Sequence, residues 1–414
     1  MSEIKSKIEW EAIIQTARSH SISMDIKGID TPVSNNITSI TVRALADNRQ
    51  GIITSNNINS LKTSIMQAHK LAKLSPKISN IPSISSIAKF SKKEFNYNYF
   101  NEKKLVESTE EIKSILDTKA PIIEFLAKKV KSKVIYVNYL GAKIELENDA
   151  LGFELAIGKE HRLGTNSSML IKKKPNLKEF AKTALFQYDC SKNLSKPKSG
   201  NYPVIFCHDA MLNIMSPIFF SLKGDSVCEN KSRFINSINK QDLSKDLTII
   251  DDCFEKNNKS FFDFEGNKSK KTVLVKNGIV KSFIHDNYTS EKLKMNNTNN
   301  SASMVIKPST SFNCISIKGN DKLSQMIKSV KEGFIIYGTY PDHTINSTTG
   351  AFGQNSSTFY HIKNGEIQGL CKGYVVMGNS YESLKKPLEI SKETRNDIGA
   401  NIGAIKINAK ILKN

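Results

Sequence analysis

The chain has 414 residues, is 39% hydrophobic and carries a formal net charge of +20. That is enough apolar material for a sizeable core in two or three domains, and no apolar run approaches the roughly 20 residues that a membrane-spanning helix needs. The positive charge invites a nucleic-acid surface, but its distribution speaks against one. Its excess is spread along the chain, and six of the 60 basic residues are Arg, the side chain best suited to forked contacts with phosphates and base edges.

The first residues, Met1-Ser2-Glu3-Ile4-Lys5-Ser6-Lys7, open an amphipathic pattern rather than the apolar core of a signal peptide, so a cytoplasmic protein is expected. Apolar positions at Ile4, Ile8, Ala12 and Ala17, filled in by Trp10, Ile13 and Ile14, predict a broad-faced helix over residues 3–18. Strand-like stretches at 39–45 and 51–54 follow, joined by the polar turn Asp47-Asn48-Arg49-Gln50. A helix from about Asn59 to Leu74 comes next and is stopped by Pro76. Residues 76–100, rich in Ser, Pro, Ile and Lys, read as a linker.

A second unit begins with a helix over 102–116. A strand at 133–137 reaches the turn Asn138-Tyr139-Leu140-Gly141, alternating segments follow at 142–147 and 152–157, and a helix over 177–187 closes the unit. From Tyr202 the pattern changes. A short strand over 202–207 enters a helix at about Asp209, which reads as its N-cap. Alternating strands with Gly and Asn turns fill the rest, apart from a helix near 323–331. Asn364-Gly365 between apolar stretches is a hairpin signal. The expected class is α+β: N-terminal α/β units at 1–92 and 95–197, followed by a β-rich C-terminal domain at 200–414.

Six cysteines, at 190, 207, 228, 253, 314 and 371, form no C-x-x-C pair and have no metal-ligand rhythm. Two His-Asp pairs invite a catalytic reading. His208-Asp209 falls at a strand-to-helix junction and reads as a cap or surface pair. In His285-Asp286, adjacency along a strand sends the side chains to opposite faces, so they form no relay.

The informative stretch is Phe262-Asp263-Phe264-Glu265-Gly266, running on through His285-Asp286 and Tyr288-Thr289-Ser290 to Thr298-Asn299-Asn300. Tyr337-Gly338, Asn346, Thr349-Gly350-Ala351-Phe352-Gly353, Lys363-Asn364-Gly365-Glu366 and Met377-Gly378-Asn379 follow in order. This ordered set resembles the C-terminal domain of the TldD/PmbA family, often called modulators of DNA gyrase. Catalytic members of that family carry zinc on an H-E-x-x-x-H helix and take a third ligand from a cysteine near the C-terminus. No His-Glu pair occurs anywhere in this chain.

Matching Leu222-Lys223-Gly224-Asp225 to the Leu-x-Gly-Asp that follows the zinc helix places the motif on Met215, Ser216 and Phe220. A thioether, a hydroxyl and a hydrocarbon supply neither zinc ligands nor a base. Pro217 lies where the helix interior would run, at a cost of about 3 kcal/mol or a kink. The region matching the third ligand, residues 398–403, has no thiol.

The resemblance therefore implies a PmbA/TldE-like subunit with no catalytic residue and no metal of its own. Its expected partner is a zinc-bearing TldD-like paralogue in a heteromer, with a homodimer also open, and their substrates would be unfolded or leader peptides. A β-rich domain can take such a peptide as an added strand. The alternative is a DNA- or gyrase-associated binding protein. Asp263, Glu265, Gly266, Asn300, Asn346 and Gly350 are the candidate substrate or partner contacts. For Asp263 and Glu265 the competing and preferred reading is structural: carboxylates that satisfy backbone N–H groups at a tight turn entered through Gly266.

Overall fold

In place of the helix expected over residues 3–18 stands, from Glu9 on, a long strand, β1 (Glu9–Asp25), while residues 3–7 lie outside the described residues. The computed structural model describes residues 8–77, 90–94, 101–170, 175–255, 260–302, 309–339, 344–397 and 399–413. β1 leads to a short β2 (Gly28–Ile29), β3 (Val33–Ala46), β4 (Arg49–Ser55) and helix α1 (Leu61–Leu74). The start of β1 is apolar on both sides because both are covered. Trp10 and Ala12 pack with Ile65 and Ala68 of α1, while Ile13 packs with Phe262 and Phe264 from the last domain. A strand buried on both faces shows a continuous apolar run, which periodicity cannot tell from a helix.

The β3–β4 turn is made by Asp47 and Asn48, both in the left-handed region at φ 51° and 58°. Helix α1 follows a 3-10 turn, Ile58–Ser60, whose entry is capped by Asn57 accepting the Asn59 N–H at 3.0 Å. It ends just before Pro76, as expected. The helix lies close enough on β4 that a Cβ on Gly51 would sit 2.0 Å from the Ala68 carbonyl.

Part of the expected linker is a strand. β5 (Phe90–Glu94) runs parallel to a later strand, and residues 78–89 and 95–100 lie outside the described residues. Helix α2 (Glu102–Leu116) is followed by β6 (Ile122–Asn138), β7 (Lys143–Lys159), β8 (Arg162–Leu170) and α3 (Leu177–Cys190). The alternating segments at 142–147 and 152–157 fall in one strand, β7. The strand order is β4-β3-β1-β6-β7-β5, with β8 beside β7. β1 pairs with β6 from Glu11 opposite Asn138 to Asp25 opposite Glu124, so residues on both sides of 92–95 share this sheet. Its helical face has two cores, one under α1 and one joining Ile22, Met24, Phe125 and Phe153 to α2 and α3.

The last domain begins with β9 (Gly200–Phe206), α4 (His208–Ser221) and α5 (Gly224–Cys228). β10 (Ile249–Asp251), β11 (Thr272–Lys276), β12 (Ile279–Val280), α6 (Asn287–Leu293), β13 (Ile315–Ile317) and α7 (Leu323–Lys328) follow. Next come β14 (Glu332–Ile336), β15 (Ala351–Asn355), β16 (Phe359–Lys363), β17 (Glu366–Leu370) and β18 (Tyr374–Asn379). The domain closes with α8 (Ser380–Ser383), β19 (Glu389–Asp397) and β20 (Ala400–Lys413). A second sheet runs β12-β11-β10-β13-β20-β9-β14-β16-β17, with β15, β18 and β19 attached beside it. Asn364 and Gly365, at φ 52° and 76°, make the β16–β17 turn that their sequence signals. All six cysteines are free thiols. No helix among the described residues is long and apolar enough to cross a membrane.

Candidate functional site

Helix α4 holds the positions where the sequence resemblance would put a metal. It starts from Cys207 rather than from an Asp209 cap; Asp209 instead sits in the first turn, where its charge favours the positive helix end. The helix runs on through Pro217 to Ser221. Neighbouring hydroxyls bind its carbonyls: Ser380 Oγ donates to Ile214 O at 2.5 Å, and Tyr381 OH lies 2.9 Å from Pro217 O. Met215 is fully buried in the core of the last domain, and Ser216 and Phe220 are half-buried.

These residues do not fit a zinc ion. None offers imidazole, thiolate or carboxylate, and the Met215 thioether is committed to apolar packing worth about 1.5–3 kcal/mol. Among the described residues, no three His, Cys, Asp or Glu side chains come together in a way that could hold a metal ion. The Leu222–Asp225 match has its own structural reason. Gly224 N–H donates to Ile284 O at 2.8 Å, and a Cβ on Gly224 would sit 2.6 Å from His285 Nδ1.

The Asp263–Gly266 turn is where the last domain meets the first sheet. Asp263 Oδ1 accepts from Glu265 N at 3.0 Å and Asn267 N at 2.8 Å, and its Oδ2 lies 3.3 Å from Ser301 N. This carboxylate thus satisfies backbone N–H groups at the turn. Glu265 reaches further and accepts the Asn287 N–H, at the start of α6, at 2.9 Å. Gly266 has a φ of 75°, and a Cβ there would stand 2.7 Å from the Tyr136 ring. Tyr136 in turn donates to the buried Glu11 at 2.7 Å, and Arg43 Nε holds the same carboxylate at 2.6 Å.

Burial dominates the protonation of this cluster. It pushes Asp263 up to about 6 against four hydrogen bonds that favour the anion. Glu265 is pushed up to about 8, first by burial and then by the charges of Asp263 and Asp286. His285, fully buried, is pushed down to about 4 by desolvation, and Asp286 caps α6 through a reciprocal pair with Thr289. The pair stands at the entry to α6 rather than along a strand, and Thr289 Oγ1 links the two side chains, lying 3.2 Å from His285 Nδ1 and donating to Asp286 Oδ1 at 2.7 Å.

The other sequence candidates shape turns. Asn300 is buried, donating to Asp251 at 2.6 Å and to Ser311 O at 2.9 Å. Asn299 before it takes the left-handed conformation, φ 61°, which Asn tolerates better than most residues with a side chain. Asn346 is exposed and accepts the N–H groups of Thr348 and Thr349 at 3.0 and 2.9 Å. Gly350, at φ 79°, leaves room for Tyr381, whose ring lies 2.4 Å from a built Cβ. Asn300 adjoins the Asp263 turn, because the next residue, Ser301, donates to Asp263 Oδ2 and accepts from Phe264 N, whereas Asn346 and Gly350 shape a separate turn beside Tyr381.

Sequence reasoning missed a cavity of about 250 Å³ between the two sheets, lined by Glu154, Ser167, His208, Asp209, Tyr337 and Arg395 among others. Arg395 bridges the domains, with Nη2 3.0 Å from Ser167 Oγ and Nη1 3.4 Å from Asp209 Oδ2. His208 enters α4 at φ 35°, a strained conformation for a residue with a side chain. The available signal was Arg scarcity: each of six Arg in such a lysine-rich chain deserves a partner.

Comparisons with known proteins agree with this architecture. The family model for the PmbA/TldA metallopeptidase C-terminal domain matches residues 199–411, and that for PmbA/TldA metallopeptidase domain 1 matches residues 10–72. A metalloprotease TldD homologue of Buchnera aphidicola is 30% identical over 227 residues, which is 51% of this chain and 45% of that protein. The chain thus spans less than half the length of that relative. A metalloprotease of Methanocaldococcus jannaschii is 25% identical over 87% of this chain and 84% of its own length. The crystal structure of TldE from Thermococcus kodakarensis superposes with a TM-score of 0.87 at 22% identity, covering 99% of this chain and 97% of that one, a likeness of fold.

Proposed function

The chain belongs to the PmbA/TldD metallopeptidase family, and from that premise we propose that it is a PmbA/TldE-like, non-catalytic subunit of a zinc metalloprotease complex acting on unfolded or leader peptides. The observation that carries this reading is α4. Where the resemblance would put two histidines and a glutamate stand Met215, Ser216 and Phe220, one of them deep in the core. Hydrolysis would then belong to a TldD-type paralogue holding the zinc, and this chain would supply wall and positioning. The scattered charge and the scarcity of Arg weigh against the alternative, a DNA- or gyrase-associated role.

Under this reading the Asp263 turn is a docking device. Asp263 and Glu265 stiffen the loop that seats the last domain on the first sheet, and Gly266 lets it approach Tyr136. The test is to purify the chain alone and with a TldD-type paralogue, then compare peptide hydrolysis with and without a chelator. The reading expects chelator-sensitive hydrolysis from the mixture and none from the chain alone. Hydrolysis by the chain alone contradicts it.

A further inference from the structure

β3 pairs with β1 along nearly all its length but with β4 only from Ile40 to Ala46. Its outer edge from Val33 to Ser39 therefore meets no strand among the described residues. An open edge is a row of N–H and C=O groups seeking partners, and natural proteins blunt such edges with charge, Pro or bulges. Here residues 31–42 carry no charge, in a chain that is 24% charged, and Pro32 stands only at the entrance.

The side chains on this edge sort by face. Val33, Asn35 and Ile37 all point to one side. Val33 and Ile37 are each 61% exposed. The register sets Ile37 beside Ala17 and Thr41 beside Ile13, so this row shares the face on which Ile13 meets Phe262 and Phe264 of the last domain. The neighbouring β1 positions on that face, Ala17, Ser19 and Ser21, are small. On the opposite face Ser34 lies 2.8 Å from His20 Nδ1, and Asn36 accepts from Arg18 Nε at 3.0 Å. The polar row is engaged within the chain, and the apolar row is presented outward.

We propose that this edge takes an extended, uncharged polypeptide segment as an added strand, with apolar side chains of the guest beside Val33 and Ile37. The inference rests on the peptide-handling reading above and gives it a place, in the first sheet rather than in the β-rich domain. A second copy of the chain, which carries its own hairpin, meets β4 in the register that faces Val33 with Ile37. With its Val33 across from Ile37, its own Ile29 and Gly28 would fall opposite Thr41 and Val42, positions that Thr54 and Ile53 of β4 already occupy. A free segment has no hairpin attached and can end where β4 begins. Pairing through the backbone also tolerates many sequences, as an unfolded or leader peptide requires.

The test uses the purified full chain and a fluorescein-labelled peptide, Ser-Val-Thr-Ile-Ser-Val-Thr, read by fluorescence anisotropy. The same peptide with N-methyl groups on alternate amides is the backbone control. Binding of the plain peptide, lost on N-methylation and weakened at least about tenfold by Ile37→Lys or Val33→Lys, supports the proposal. Both substituted positions are exposed, so the variants should melt with the wild type. No binding to the wild type, binding that ignores both lysines, or equal binding of the N-methylated peptide overturns it. So does a doubling of mass in light scattering that Ile37→Lys abolishes, which would give the edge to a second copy. No peptidase is present, so the result stands apart from whether the chain serves a protease complex.

Discussion

Replacing Glu265 by Gln exchanges a buried carboxyl for an amide of nearly the same shape, and its effect should depend on pH. The folded protein holds this proton up to about pH 8, whereas the ordinary value for a glutamate is 4.5. Below pH 4.5 the group is neutral in both folded and unfolded chains, and the two proteins should be equally stable. Between pH 4.5 and about 8 the unfolded chain ionises while the folded one does not. Stability of the wild type therefore falls relative to the variant as pH rises, and the gap levels off above about pH 8. At about 1.4 kcal/mol per pH unit, the interval sets a ceiling of about 5 kcal/mol on that gap. His285 acts on the acid side: held neutral down to about pH 4, it costs stability as pH falls below 6.5. It is present in both proteins and cancels in the difference. Urea unfolding read by Trp10, the single tryptophan, in a pH series gives the comparison directly. A difference between variant and wild type that is the same at every pH would refute the reasoning.

Gly266→Ala forces a left-handed residue to carry a Cβ against the Tyr136 ring, and urea unfolding should show a loss of about 1–3 kcal/mol. Tyr136→Phe keeps the packing but strips a donor from the buried Glu11 carboxylate, and a loss of about 1–3 kcal/mol is expected in the same assay. Writing the motif into α4 with Met215→His, Ser216→Glu and Phe220→His should lower stability and yield no stoichiometric zinc by elemental analysis after dialysis, because residue 215 points into the core.

The sequence made the chemistry of single positions legible more readily than their company. Asp263 could be read as a turn carboxylate because Asp followed by Gly266 is local logic, and its bonds to Glu265 and Asn267 are local. The β16–β17 hairpin was readable for the same reason. The error over residues 9–18 came from burial on two faces, which erases the alternation that marks a strand. Asp209 looked like a cap because it sits beside a helix start; its partner, Arg395, comes from β19, 186 residues later. The cavity they line joins β7, β8, α4 and β19, and no local pattern reports such a meeting. Asn300 and Gly350 were found by resemblance, but the reason they are needed, a buried Asp251 and the Tyr381 ring, became visible only in three dimensions.

The account depends most on the claim that this polypeptide handles peptides without a metal of its own. Zinc content and peptide hydrolysis measured on the same purified sample, before and after chelation, address that claim directly. The expected result is substoichiometric zinc and no hydrolysis in either state, with activity appearing once a TldD-type paralogue is added. One zinc per chain, removed by chelator together with peptidase activity, would contradict it.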